Sequence, residues 1–308
     1  MPWGAEAKTR PDWMRVRAAS PGSRFEELNG IVRENGLTTV CEEAGCPNIG
    51  ECWGRGTATF QILGDTCTRA CRYCAVNSAK RGEEVDLLEP AKLAAAAERM
   101  GLRHLVITSV DRDDLPDLGA GHWAQTIRAL RRRNPELQVE VLVPDFLGDE
   151  DQGMLTVLEA EPHVYNHNIE TVRRIQPKVR IKGDYDRALH ILQRAKELWV
   201  ENFPERGPLL TKSGIIVGMG ETDDEVIETL RDLRAHDVDV VTIGQYLQPT
   251  EKHLPLERWV PLDSFRRFRE AGMELGFGSV FAGPLVRSSY RAEEQRLAAE
   301  GGSRVVAY

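Results

Sequence analysis

The sequence lacks cysteine over most of its length. None occurs before position 41, and none in the 234 residues after position 74. A disulfide framework spread along the chain is therefore excluded. No apolar run reaches the ~18 residues that a membrane-spanning helix needs. The opening residues, MPWGAEAKTRPDW, have no apolar stretch of the secretory kind. Together these absences predict a cytoplasmic protein with no membrane partner. Basic clusters are scarce as well, the longest run being Arg131, Arg132 and Arg133, and the formal net charge is −8. Phosphate backbones need clustered Lys and Arg, so no nucleic-acid partner is expected. Internal repeats and low-complexity tracts are also missing.

What is present is an ordinary globular composition, 41% hydrophobic and 29% charged over 308 residues. That suffices for a large core and fits either one α/β barrel or two smaller domains. Short β-rich runs recur at 58–64, 104–110, 138–144, 164–169, 213–218 and 238–245. Their alternation is weak, as in parallel strands buried on both faces. Helical patterns separate them at 90–100, 123–133, 184–198, 222–235 and 263–275. The fourth begins Thr222-Asp-Asp-Glu225, a capping-box start. Repeated strand–helix alternation predicts an α/β barrel or a doubly wound sheet. In a barrel, functional residues gather at the C-terminal ends of the strands. The first ~35 residues read as an extension wrapping this body, and residues from Ser279 as a tail after the last helix.

All six cysteines fall within the 34 residues 41–74, where uniform scatter would put about 0.7. In a reducing compartment such density signals metal or redox chemistry. They form two triplets, Cys41-x4-Cys46-x5-Cys52 and Cys67-x3-Cys71-x2-Cys74. Zinc sites favour paired knuckles and four ligands, which neither triplet supplies. Iron–sulfur clusters are also held by thiolates, and three of them leave one iron open to another ligand.

The spacing in CTRACRYC (67–74), just after a strand, is that of the radical S-adenosylmethionine (SAM) superfamily. The joined segments TVCEEAGCPNIGECW and GTATFQILGDTCTRACRYC closely resemble the lipoyl synthase family. The resemblance continues through TSVDRDDLPDLGA (108–120), VEVLVPDF (139–146), YNHNIET (165–171), KSGIIVGMGET (212–222), IGQYLQPT (243–250) and GPLVRSSYRA (283–292). It covers roughly residues 35–292. It implies a partial (β/α)6 barrel of the radical SAM type over 58–278. An extension (1–57) would carry auxiliary-cluster cysteines, and a tail (279–308) the RSSY motif.

The resemblance also implies the chemistry: a sulfurtransferase that uses radicals to insert two sulfur atoms, at C6 and C8, into a protein-bound octanoyl-lysine. Cys67, Cys71 and Cys74 would hold the [4Fe–4S] cluster that cleaves S-adenosylmethionine. Cys41, Cys46, Cys52 and Ser289 would hold an auxiliary [4Fe–4S] cluster that gives up its sulfur. A serine oxygen is a harder ligand than thiolate and suits a cluster meant to be dismantled; a serine in a tail is otherwise a surface or capping residue. Tyr73, Ser109, Asp111, Asn168, Glu170 and Gly218 are candidate S-adenosylmethionine contacts. For Gly218 tight turning is an equal explanation, and for Tyr73 shielding of the cluster from water. Arg287 either positions the tail, binds substrate or forms a surface ion pair. His163 and His167 read as structural, because hydrogen abstraction by a radical needs no general base. Implied partners are an octanoylated lipoyl carrier domain, a one-electron reductant protein and iron–sulfur assembly proteins. Against biotin synthase stands the absence of cysteine after Cys74. A methylthiotransferase would bring a nucleic-acid-binding domain, and an electron carrier has no use for a barrel.

Overall fold

The computed structural model describes residues 10–14, 24–43, 46 and 48–301. After a single 3-10 turn, Asp12–Met14, come helix α1 (Arg24–Glu34), the two-residue strand β1 (Thr38–Thr39) and the short helices α2 (Val40–Glu43) and α3 (Ile49–Gly54). Strand β2 (Thr57–Ile62) then opens the body, followed by a loop with the small bridge pair β3 (Thr66–Cys67) and β4 (Asn77–Ser78). From there strands and helices alternate: α4 (Glu89–Arg99), β5 (His104–Ser109), α5 (Ala120–Arg133), β6 (Gln138–Leu142), α6 (Glu150–Glu159) and β7 (Val164–Asn166). The second half runs α7 (Gln176–Val179), α8 (Tyr185–Asn202), β8 (Leu210–Val217), α9 (Asp223–Ala235), β9 (Val240–Gln245), α10 (Leu262–Leu275), β10 (Ser279–Gly283) and α11 (Ala292–Ala299).

One sheet has the order β1-β2-β5-β6-β7-β8-β9-β10. All neighbours are parallel except β1, which runs antiparallel to β2. β1 and β10 do not pair, so the barrel is partial and open. All six expected strands are present. A seventh parallel strand, β10, pairs with β9 from Ser279↔Val240 to Gly283↔Gly244. The sequence placed this stretch in the tail, because five residues ending at Gly283-Pro284 are too few to display a period.

Alternation along the strands sorts two environments. Ala58, Phe60 and Ile62 of β2, Leu105 and Ile107 of β5 and Val139 and Val141 of β6 join the helices in one apolar core with Leu93, Trp123 and Ile127. The intervening Thr57, Thr59, Gln61, His104 and Glu140 are buried but polar, and line the inner face. Two buried faces of different chemistry explain why alternation looks weak in the sequence. The capping box at Thr222 forms as expected and starts α9.

The N-terminal extension docks on this body: Phe25 packs against the buried Trp53, ring centroids 5.3 Å apart. At the other end of the chain α11 lies across the first residues of β5, β9 and β10. Glu293 and Glu294 tie it to Arg103 (2.9 Å) and Arg55 (2.7 Å). The segment between β10 and α11 therefore runs from the C-terminal end of the sheet to its N-terminal floor.

Candidate functional site

The first triplet forms a turn closed on itself. The Cys46 amide donates to the Cys41 carbonyl at 2.9 Å, and the Cys52 amide to the Asn48 carbonyl at 2.9 Å. Asn48 reaches across to the tail and donates to the Leu285 carbonyl at 2.5 Å. Around this turn lies one cavity whose lining includes Cys41, Cys46, Cys52, Thr57, Thr59, Arg287 and Ser289. Three thiols and a serine hydroxyl from opposite ends of the chain thus face a common space. The tail is held there by Glu51, which accepts from the Tyr290 hydroxyl (3.2 Å) and from Arg291 (2.9 and 3.1 Å). Gly244 of β9 is obligatory at this crossing, since a Cβ there would collide with the Val286 carbonyl.

Burial, and then the charges of neighbouring thiols, push Cys52 up to about 12. Burial and the charge of Cys46 take Cys41 to about 11, against the pull of hydrogen bonds from Thr59 and Trp53. Such sulfurs carry protons at neutral pH until a metal displaces them. None of the six cysteines is in a disulfide.

The second triplet sits on the loop after β2. Cys67 Sγ accepts from the amides of Arg69 (3.4 Å) and Asp111 (3.3 Å). Thr68 is stitched to the loop after β5 by its amide and its hydroxyl, both donating to the Asp111 carbonyl at 2.9 Å. Arg69 is buried between three carboxylates: Asp145 at 2.7 Å, Asp113 at 2.8 Å and Asp111 at 3.4 Å. The far side of the loop is anchored by Arg72 N–H to Val179 (3.0 Å), by Leu254 N–H to Arg72 (2.9 Å) and by His253 Nε2 against the Cys74 carbonyl (2.9 Å). Burial pushes Cys67 up to about 11 and Cys71 to about 12; the Asp111 charge adds to the first, and Arg180 opposes the second.

Ser109, Asp111, Asn168 and Glu170 all lie beside this loop, at the ends of β5 and β7. Asp111 Oδ1 faces the Arg69 guanidinium at 3.4 Å, whereas Ser109 Oγ and Asn168 Oδ1 are buried with no hydrogen-bond partner among the described residues. Each such atom costs about 1–3 kcal/mol unless a polar ligand satisfies it. Glu170 holds φ +70°, a left-handed conformation that a non-glycine residue adopts at a cost, fixed by its amide on Gly214 (3.0 Å) and its carbonyl under the Ile216 amide (2.7 Å). Burial raises the Glu170 carboxyl above the usual carboxylate range, against Arg180 and hydrogen bonds from Tyr73 and Asn168. Burial likewise raises Asp111, opposed by Arg69 and Arg180.

Gly218 is different. Its φ of +108° and the Arg258 carbonyl 2.8 Å from any added Cβ account for the glycine. Its amide, with that of Met219, is taken by the buried Glu221 carboxylate at 2.6 and 2.9 Å. His163 accepts from the Val139 amide, and His167 bridges the Val143 carbonyl and Arg180, both in structural positions. Sequence reasoning overlooked Arg69, although it lies inside CTRACRYC. It also overlooked Arg180 and Glu51, for which no local signal exists.

Among the described residues, no three of the His, Cys, Asp and Glu side chains are grouped to hold a single metal ion. Ligands of one zinc, each ~2.3 Å from it, must nearly touch, whereas those of a four-iron cube stand on separate corners. Three thiols and a serine hydroxyl round one cavity, and three thiols on one loop, are donor sets of the thiolate-rich kind that iron–sulfur clusters take.

A family model described as the radical SAM superfamily matches residues 62–233. The lipoyl synthase of Rubrobacter xylanophilus is 52% identical over 294 residues, covering 96% of this chain and 88% of that protein. The lipoyl synthase of Thermus thermophilus is 52% identical over 287 residues, covering 93% and 86%. The chain belongs to the lipoyl synthase family. Solved structures share the fold of this family at low identity. Methylornithine synthase aligns with a TM-score of 0.53 at 12% identity, over 94% of this chain and 91% of that one. The maturase HydG aligns with a TM-score of 0.53 at 15% identity, over 89% and 63%. No helix of the described residues is long and apolar enough to cross a membrane.

Proposed function

We propose that this chain, as a lipoyl synthase, inserts sulfur at C6 and C8 of an octanoyl group carried on a lysine of a lipoyl carrier domain. When bound, [4Fe–4S] clusters supply the electron and chelating iron that cleave S-adenosylmethionine at one site and the sulfur atoms at the other. Cys67, Cys71 and Cys74 are the ligands at the first, and Cys41, Cys46, Cys52 and Ser289 at the second. The protein's own part is to bind, orient and exclude water. Asp111 and Glu170 are suited to the ammonium of S-adenosylmethionine, and Ser109 and Asn168 offer polar atoms to its carboxylate and ribose. Arg69 acts one step back, holding Asp111 in place, and Tyr73 shields the space between loop and β7. Gly218 serves the turn, and Glu221 fixes it.

The observation that carries this reading is the cavity shared by three N-terminal thiols and Ser289. It is tested by anaerobic reconstitution with iron and sulfide, then turnover on an octanoylated lipoyl domain. Roughly eight irons per chain are expected, with 5′-deoxyadenosine release and two sulfurs added by mass spectrometry. Cys46→Ala should keep 5′-deoxyadenosine formation and lose all thiolation. If that variant still adds two sulfurs, the donor role of the first triplet is wrong.

A further inference from the structure

Two stretches of loop carry a charge bias opposite to that of the whole chain, the first of them ending just before Glu83, Glu84 and Asp86. Residues 68–82 contain Arg69, Arg72, Lys80 and Arg81 and no acidic residue. Residues 172–183 contain Arg173, Arg174, Lys178, Arg180 and Lys182, again with none. The fold joins them, since the Arg72 amide donates to the Val179 carbonyl at 3.0 Å. Five of these nine cations have internal work. Arg69 and Arg180 are buried at the site. Arg173, Arg174 and Lys182 pair with Asp186, Glu225 and Asp113. The other four, Arg72, Lys80, Arg81 and Lys178, are exposed and have no acidic partner among the described residues. Ile181, 67% exposed, stands among them.

We propose that this cationic surface, built on the outer side of the Cys67–Cys74 loop and the segment after β7, docks an acidic one-electron donor protein with a flavin or iron–sulfur centre. The inference rests on the reading of Cys67, Cys71 and Cys74 as cluster ligands. Arg72 is exposed and lies between Cys71 and Cys74, both only part-buried, so a donor seated here lies over the loop that carries those thiols. The acyl chain of the substrate has to reach the other site, between β2 and the tail. The step is a simple exchange: the donor loses one electron and the cluster gains it. Opposite charge accelerates such encounters and is screened by salt.

The test uses holoenzyme and reduced flavodoxin, with bleaching of the cluster absorbance as the readout. In Lys80→Glu/Arg81→Glu/Lys178→Glu the second-order rate at low ionic strength should fall about tenfold or more. The difference should vanish in high salt, and reduction by dithionite should be unchanged. Arg128→Glu/Arg132→Glu/Arg133→Glu changes net charge equally on α5 and should react as the parent does. Equal slowing in both variants, or none in the first, overturns the proposal. So does an unchanged flavodoxin rate with weakened binding of an octanoylated carrier domain, which would make the patch a substrate dock. Failure of the functional reading looks different: no cluster forms on the second triplet, or dithionite-reduced enzyme releases no 5′-deoxyadenosine.

Discussion

His167 is buried with Nδ1 against the Val143 carbonyl at 2.9 Å and Nε2 3.4 Å from the Arg180 guanidinium. Burial, then the guanidinium, lowers its pKa to about 4. A proton is therefore bound more readily by the unfolded chain, ordinarily near 6.5. The stability this histidine contributes is complete above pH 6.5 and drains away between there and about pH 4. At pH 5 the apoprotein should have lost about 2 kcal/mol through this residue. Urea midpoints at pH 7 and pH 5, compared between parent and His167→Asn, measure it; an equal drop in both rules it out. A second buried group is the Lys212–Glu140 pair, 2.7 Å apart and each 1% exposed. Lys212, with help from His104, holds Glu140 down to about 2 despite its burial. Glu140→Gln strands a buried ammonium and should cost about 3–5 kcal/mol in a denaturation curve. Glu140→Leu/Lys212→Met should recover much of that loss.

At the scale of elements, the proposed auxiliary site depends on a crossing. The extension supplies α2 and α3, β2 supplies Thr57 and Thr59, and the segment after β10 supplies Ser289. Glu51, with its bonds to Tyr290 and Arg291, is the clasp between extension and tail. Glu51→Ala should speed iron loss from the first triplet to a chelator by about tenfold, the worth of one charged hydrogen bond at a half-exposed site. It should slow thiolation while 5′-deoxyadenosine release holds steady. If iron is retained as in the parent, the tail is seated without the clasp. The loop carrying the second triplet is likewise clamped at both ends, by Asp111 on one side and by Val179 and Leu254 on the other. Helix α9 was legible from Thr222 and Glu225 alone, because a capping box is a local arrangement. Strand β10 was not, because its place beside β9 is a long-range pairing.

For the whole molecule, cluster loading and folding are linked through protons. Cys41, Cys52, Cys67 and Cys71 all stand near 11–12 in the apoprotein, chiefly because they are buried. As the proposed ligands, each must lose a proton to bind iron, so affinity should rise with pH. Reconstitution at pH 8.5 should give more iron per chain than at pH 6, and removing the iron should lower the melting temperature. Equal iron content at the two pH values would mean the thiolates are already formed. The sequence by itself determined the cysteine chemistry, the family motifs and six of the parallel strands. Spacing within CTRACRYC, strand-length apolar runs and capping residues act over a few positions and survive in one dimension. The resemblance had already grouped Ser289 with Cys41, Cys46 and Cys52, and the structure brings the four round one cavity. Only the tertiary structure decided that Arg69 and Arg180 lie buried beside the second triplet, and that Gly218 belongs to a turn held by Glu221. Those outcomes depend on which chain ends a folded sheet brings together and on which polar atoms it buries, and neither is encoded by neighbours along the chain.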